Sequence, residues 1–222
     1  MRSSGVGLLM AELVGLTVIT VLVLVGLTSP VDHAIYVAVQ PLASGFMDTL
    51  ASALSLLGRR DVALIIAGVA VAVLLALRRI DALIPLFLPA VLVADGLLKD
   101  LVSRPRPGAG GAHDLQLIPL LLPKATETFS FPSSHAALAG FLAVALGAVM
   151  PRWRPLFWVL AVAVALSRVY LDKHWASDVL GGLFLGMFVG TLAQLVASRV
   201  AMVWSAGRAA RTDRPAATTI KT

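Results

Sequence analysis

Long apolar runs constrain this chain more than any other feature, because water cannot solvate them. Hydrophobic residues make up 59% of the 222 positions and charged residues only 14%, against about 45–50% and about 25% in ordinary soluble domains. A spanning helix needs roughly 20 mostly apolar residues. Six runs approach that length: 8–28, 62–77, 82–98, 135–150, 156–171 and 179–198. We therefore expect an all-α polytopic membrane protein, a bundle of six transmembrane helices.

Two further segments, residues 31–57 and residues 205–222, are not expected to span the membrane. Residues 31–57 carry leucine and phenylalanine at helical spacing, which predicts an interfacial helix between spans 1 and 2. Residues 1–204 are expected to form the membrane domain, and residues 205–222 a disordered, basic cytoplasmic tail.

Arginine placement predicts the orientation. An even number of spans puts both termini on one side, and the short loops on that side carry the pairs Arg78–Arg79 and Arg152–Arg154. Such loops are typically cytoplasmic. We expect both termini of this inner (plasma) membrane protein to be cytoplasmic and the opposite rim to face outward.

The basic balance does not indicate nucleic acid. The net charge is +6, but the basic residues follow the loops and the tail, as membrane topology requires.

The chain has no cysteine, which excludes disulfides and thiolate chemistry. Membrane lipids are the expected surroundings, and nothing in the sequence indicates an oligomer.

Polar residues gather at the predicted outer rim in three separate segments. Cationic side chains follow the third span and end the fifth, and serines open the fourth, where unpaired backbone N–H groups favour an anion. Arginine and lysine without matching acids suit a phosphate. The five residues Lys99, Arg106, Ser133, Ser134 and Arg168 form what we call the phosphate cradle.

Two histidines lie at the same rim. His174 and Asp178 are four residues apart, so the carboxylate can reach the imidazole across a helical turn. A carboxylate on one ring nitrogen leaves the other free to attack. His135 can then protonate the leaving oxygen as a general acid.

The three segments resemble the signature of the type 2 phosphatidic acid phosphatase family, within the vanadium haloperoxidase-like superfamily. KDLVSRPRP begins at Lys99, PSSH at Pro132 and SRVYLDKHWASD at Ser167. The family pattern is KxxxxxxRP, PSGH and SRxxxxxHxxxD.

The resemblance implies a role for each of these residues. His174 would be the nucleophile that forms a phosphohistidine, with Asp178 orienting it and His135 acting as acid and then as base. The cradle residues would bind phosphate. No metal or other cofactor is expected, and the substrate would be a lipid phosphate, either a phosphomonoester or a diphosphate such as phosphatidic acid, phosphatidylglycerol phosphate or a polyprenyl diphosphate.

Ser134 departs from the family pattern, because glycine is usual there. A helix start does not require positive φ, so we expect an active enzyme with altered affinity.

Three other features near the motifs have plainer interpretations. Asp95, four residues before Lys99, is interpreted as its ion-pair partner. Arg104 is a weak phosphate candidate. Gly182, Gly186 and Gly190 are interpreted as packing inside the monomer rather than as a dimer seam.

Two other functions remain open on the sequence. The same histidine could pass its phosphoryl group to an alcohol, which would make the protein a lipid phosphotransferase. A non-catalytic membrane binding protein is the third possibility, although such a protein needs no nucleophile.

Overall fold

The computed structural model describes residues 2–107 and 129–212. In those ranges the chain forms eight α-helices joined by short 3₁₀ turns and loops. They are α1 Arg2–Leu24, α2 Ser29–Val39, α3 Gly45–Leu57, α4 Arg60–Ala76, α5 Leu88–Val102, α6 Ser134–Val149, α7 Arg154–Tyr170 and α8 Ala176–Thr212. The all-α prediction is confirmed.

Four helical stretches of the described chain are long and apolar enough to cross a membrane. They are Gly5–Leu24, Ile80–Val102, Pro151–Tyr170 and Ala176–Ala206, and they overlap the predicted first, third, fifth and sixth spans. The predicted second and fourth spans correspond to the shorter helices α4, of 17 residues, and α6, of 16 residues. The count of six spans stays a prediction.

Helix α6 is the centre of the bundle. Ten of its 16 residues are buried, among them Leu138, Phe141 and Leu142, and it packs against α4, α5, α7 and α8. Its sequence is alanine-rich and almost uniformly apolar, as expected for a helix enclosed on all sides. The PSSH segment lies at the N-terminus of α6, so this largely buried central helix positions the predicted site.

Glycines of α8 allow α8 to lie directly against α6. A Cβ on Gly186 would fall 2.1 Å from the carbonyl oxygen of Ala137, and one on Gly182 would fall 2.4 Å from that of Ser133. No side chain fits at such distances, so glycine is required for the helices to approach. The interpretation of this stripe as internal packing is confirmed.

The segment predicted as one interfacial helix folds as two helices, α2 and α3. Pro41 lies in a 3₁₀ turn after α2, and Ser44 is extended and accepts a hydrogen bond from the N–H of Met47, which caps a new helix. Leu42, Phe46 and Leu50 of the predicted stripe are exposed. The opposite faces bury Asp32 of α2 and Ser55 of α3 against the bundle.

Helix α8 continues to Thr212, eight residues into the segment predicted as a disordered tail. The 204/205 boundary is therefore not a helix end. Residues 213–222 of the predicted tail lie outside the described residues.

Candidate active site

The three polar segments meet in the structure. The N–H of Ser133, at the start of α6, donates to the carbonyl of Asp178 in α8 at 3.0 Å. Lys99, in the last turn of α5, donates to the carbonyl of Pro132 at 2.6 Å. Arg106 donates to the carbonyl of Lys173 at 3.0 Å. Segments separated by up to 67 residues in the chain thus form one cluster at one end of the bundle.

His174 lies in the turn between α7 and α8 and is 3% exposed. Its Nδ1 is 2.8 Å from the carbonyl oxygen of Ser130. Because a carbonyl can only accept, Nδ1 carries the proton, and the second ring nitrogen of a neutral imidazole is then unprotonated. The arrangement leaves Nε2 with the lone pair that a nucleophile needs.

Charge around His174 favours its neutral form. Burial, reinforced by the positive charges of three basic residues of the cluster, lowers the pKa of His174 well below its usual value of 6.5. The imidazole is therefore uncharged at neutral pH, which is the protonation state required for attack.

Asp178 is the first-turn acid of α8 and is fully buried. Its Oδ2 lies 3.6 Å from His174 Nδ1, within ion-pair range but longer than the hydrogen bond to Ser130. The same Oδ2 accepts the N–H of Trp175 at 2.8 Å. Asp178 thus stands beside the imidazole, while the carbonyl of Ser130 makes the direct contact.

His135 and Ser133 both bring unsatisfied polar atoms to the start of α6. His135 Nε2 and Ser133 Oγ are buried without a hydrogen-bond partner among the described residues. Buried polar groups are normally paired, so two unpaired ones beside a cluster of cations indicate a place for an oxygen-rich ligand. The predicted acid and one predicted cradle residue are therefore available to a bound phosphate.

Ser134 does not crowd the site. It is the first residue of α6 and does not adopt positive φ, as expected for a helix start. Its hydroxyl donates to Asp95 Oδ2 at 2.7 Å and accepts from Lys99 Nζ at 2.9 Å. The side chain that replaces the family's glycine therefore joins a buried polar network with α5.

The three cations of the cradle are held by the protein itself. Lys99 is 1% exposed and pairs with Asp95 at 2.7 Å, which confirms the expected ion pair. Arg168, at the end of α7, is 3% exposed and donates to Ser55 of α3. Buried cations held in place provide the preorganised positive field that a phosphate requires.

Sequence reasoning missed the contribution of α2 and α3. Asp32 and Ser55 belong to no motif. Asp32 is 72 residues from its partner Arg104, and Ser55 is 113 residues from its partner Arg168. An acid such as Asp32 near an apolar run is a detectable signal, because it needs a buried partner. The Ser130 carbonyl has no such signal, since every residue has one.

In residues 2–107 and 129–212 there is no group of three or more histidine, cysteine or acidic side chains placed to hold a metal ion. Metal independence stays a prediction from the resemblance.

The comparison with protein families agrees with this geometry. The sequence model of the PAP2 superfamily matches residues 64–201, which include all three motifs. The chain belongs to the PAP2 superfamily. The resemblance inferred from the motifs is confirmed.

A solved PAP2 structure shares the fold. It is the crystal structure of a transmembrane PAP2-type phosphatidylglycerolphosphate phosphatase from Bacillus subtilis, with a TM-score of 0.69 and 22% identity, covering 87% of this chain and 97% of that one. The apolar helices and this likeness show that the protein is an integral membrane protein.

Two curated relatives match part of the chain. An undecaprenyl-diphosphatase of Sulfolobus acidocaldarius is 40% identical over 36% of this chain and 38% of its own length. A lipid A 1-phosphatase of Rhizobium johnstonii is 30% identical over 49% of this chain and 44% of its own length. The chain therefore spans about two fifths of the curated relatives it matches.

Proposed function

We propose that this protein hydrolyses a lipid phosphate, either a phosphomonoester or a diphosphate, through a phosphohistidine on His174. The observation that carries the proposal is the contact of His174 Nδ1 with the Ser130 carbonyl, beside buried cations and two unpaired polar groups. A binding protein for phosphate needs the cations but has no use for a neutral, oriented imidazole.

In the first step, His174 Nε2 attacks phosphorus and forms an N–P bond while the bond from phosphorus to the lipid oxygen breaks. His135, protonated while the anionic phosphate is bound beside it, gives its proton to the leaving oxygen, so the lipid departs as an alcohol or, from a diphosphate, as a monophosphate. Lys99, Arg106, Arg168 and the backbone at the start of α6 neutralise the charge on the phosphoryl oxygens.

In the second step, neutral His135 takes a proton from water, and the resulting hydroxide attacks phosphorus. The N–P bond breaks, inorganic phosphate leaves, and His174 returns to its neutral form. The hydrogen bond from Nδ1 to Ser130 and the nearby carboxylate of Asp178 stabilise the positive charge that the ring carries while it is phosphorylated.

A lipid substrate fits an active site built into a membrane bundle. The relatives' names include undecaprenyl diphosphate, lipid A and phosphatidylglycerol phosphate, and these define the panel to test. We propose that the site lies at the outer face of a six-span bundle with cytoplasmic termini.

Phosphate release from purified lipid phosphates in detergent tests the activity. The panel should contain phosphatidic acid, phosphatidylglycerol phosphate, undecaprenyl diphosphate and lipid A. We expect turnover of at least one of them by the wild-type protein and none by His174→Ala. Near-normal release by His174→Ala rules out the nucleophile, and no release from any lipid by the wild type rules out the activity.

A further inference from the structure

Arg104 joins two buried carboxylates, Asp32 and Asp178, that lie far apart in the chain. Its Nη1 donates to Asp178 Oδ1 at 2.8 Å and to Ser177 Oγ at 2.6 Å. Its Nη2 donates to Asp32 Oδ2 at 2.7 Å. Arginine suits this position because its planar fork can serve two acceptors at once. The acid next to His174 is thus tied to α2 through one guanidinium.

Asp32 completes the contact from the side of α2. Its Oδ1 accepts the N–H of Ser177 at 2.8 Å, and its Oδ2 accepts the Ser177 hydroxyl at 2.6 Å. Burial alone raises the pKa of Asp32, but hydrogen bonds from Ser177 and Arg104 outweigh it and hold the pKa below its usual range. Asp32 is therefore an anion that holds the first turn of α8, where backbone N–H groups need acceptors.

The backbone of Arg104 supports the other neighbour of His174. The backbone carbonyl of Arg104 accepts two hydrogen bonds from Ser130, one from its N–H at 2.8 Å and one from its hydroxyl at 3.2 Å. The carbonyl of that same Ser130 faces His174 Nδ1. Arg104 therefore holds both acceptors around Nδ1: its side chain holds the Asp178 carboxylate, and its backbone carbonyl holds the segment that carries the Ser130 carbonyl.

A cation–π contact holds the guanidinium of Arg104 from a further direction. It lies 5.5 Å from the centre of the Trp175 ring, and the indole N–H donates to the carbonyl of Pro105 at 3.0 Å. Because Trp175 directly follows His174, the same indole links the nucleophile's turn to the segment that carries Arg104.

We propose that Arg104 and Asp32 are a positioning pair for the nucleophile, acting through Asp178 and Ser130, and that Arg104 does not bind the substrate phosphate. The inference rests on the proposed role of His174. It also gives α2 a function, because this helix supplies the buried acid that holds Arg104 in place.

Steady-state kinetics on Arg104→Gln and Asp32→Asn test the pair, with the lipid phosphate that the wild type turns over best. Misplaced reacting groups lower the rate of chemistry, so we expect kcat to fall by roughly 10- to 100-fold while KM stays within about twofold. Arg104→Lys keeps the charge but not the fork, and should recover only part of the loss. The double variant should lose little more than the worse single variant, because both act on one network.

Two controls separate positioning from other effects. Arg79→Gln removes an arginine from an exposed ion pair with Asp81 and should leave kcat and KM unchanged. Arg168→Gln removes a cradle cation and should raise KM. The Nδ1–H resonance of His174, read by histidine-selective NMR in detergent, should change its chemical shift in Arg104→Gln, because the Asp178 carboxylate beside Nδ1 loses its arginine partner.

Three results overturn the proposal. The first is an Arg104→Gln variant with raised KM and intact kcat, which returns Arg104 to phosphate binding. The second is wild-type kcat and KM in Asp32→Asn. This side chain has nearly the same shape as the native one, so the variant tests the pair even if Arg104→Gln does not fold. The third is turnover by His174→Ala, because an enzyme that works without His174 has no nucleophile there to position. This third result also contradicts the proposed function, whereas the first two leave it intact.

Discussion

The chemistry of the site depends on which ring nitrogen of His174 carries the proton. The Ser130 carbonyl assigns that proton to Nδ1, and this assignment comes from the fold rather than from the motif. The spacing of His174 and Asp178 correctly places an acid near the ring, yet the shortest contact is to a backbone atom. The sequence therefore points to His174 as the proposed nucleophile, but it does not point to the backbone group that orients the ring.

The protonation state of His174 gives a pH prediction. Burial and nearby cations lower its pKa, so the ring stays neutral as the pH falls through 6.5 and becomes protonated only below that value. Histidine-selective NMR titration in detergent, assigned with His174→Ala, measures this directly. We expect His174 to titrate well below 6.5 in the wild type and higher in Arg168→Gln, which removes one positive charge. Titration of His174 at or above 6.5 in the wild type contradicts the account.

Gly58, the residue that follows α3, packs closely against His135. A Cβ there would lie 2.6 Å from Val164 Cγ1 and 3.0 Å from His135 Cβ. Gly58→Ala should therefore displace the proposed acid and lower kcat by about tenfold or more. Gly45→Ala, at the other end of α3, is the matched control, because nothing lies within 4 Å of a Cβ added there. Equal phosphate release by the two variants would show that His135 is not held by this contact.

At the scale of elements, the sequence predicted the helices better than their joints. The apolar runs locate α1 and α4–α8, because long apolar helices have a strong periodic and compositional signal. The break between α2 and α3 was missed, since its cause is a local proline and a serine cap. The pairing of Asp32 with Arg104 was also missed, because it depends on how α2 packs across the bundle.

Packing of α8 on α6 gives a prediction about stability. A Cβ on Gly186 would meet the Ala137 carbonyl at 2.1 Å and the Phe141 nitrogen at 2.6 Å, both of them backbone atoms that cannot rotate away. We expect Gly186→Ala to lower the free energy of unfolding by ~1–3 kcal/mol through overpacking. Gly68→Ala in α4 has open space and should be neutral or slightly stabilising.

Thermal unfolding midpoints in one detergent compare the two glycine variants. A midpoint for Gly186→Ala equal to that of Gly68→Ala would mean that α6 and α8 are not in backbone contact.

At the scale of the whole molecule, we propose that the site faces outward and that both termini are cytoplasmic. The chain has no native cysteine, so single cysteines can report each side. A cysteine at Ser44, in the exposed turn before α3, should react with a membrane-impermeant maleimide in intact cells. A cysteine at Ser205, exposed near the end of α8, should react only after lysis. The reverse pattern contradicts the proposed orientation.

The central claim is that phosphate passes through a covalent bond to His174. Rapid acid-free quenching of enzyme mixed with a ³²P-labelled lipid phosphate tests it, because a phosphohistidine is stable in alkali and labile in acid. We predict labelled protein of that stability in the wild type and none in His174→Ala at matched protein and substrate concentrations. Labelling that persists in His174→Ala, or a wild-type enzyme that turns over without ever carrying label, would contradict the account.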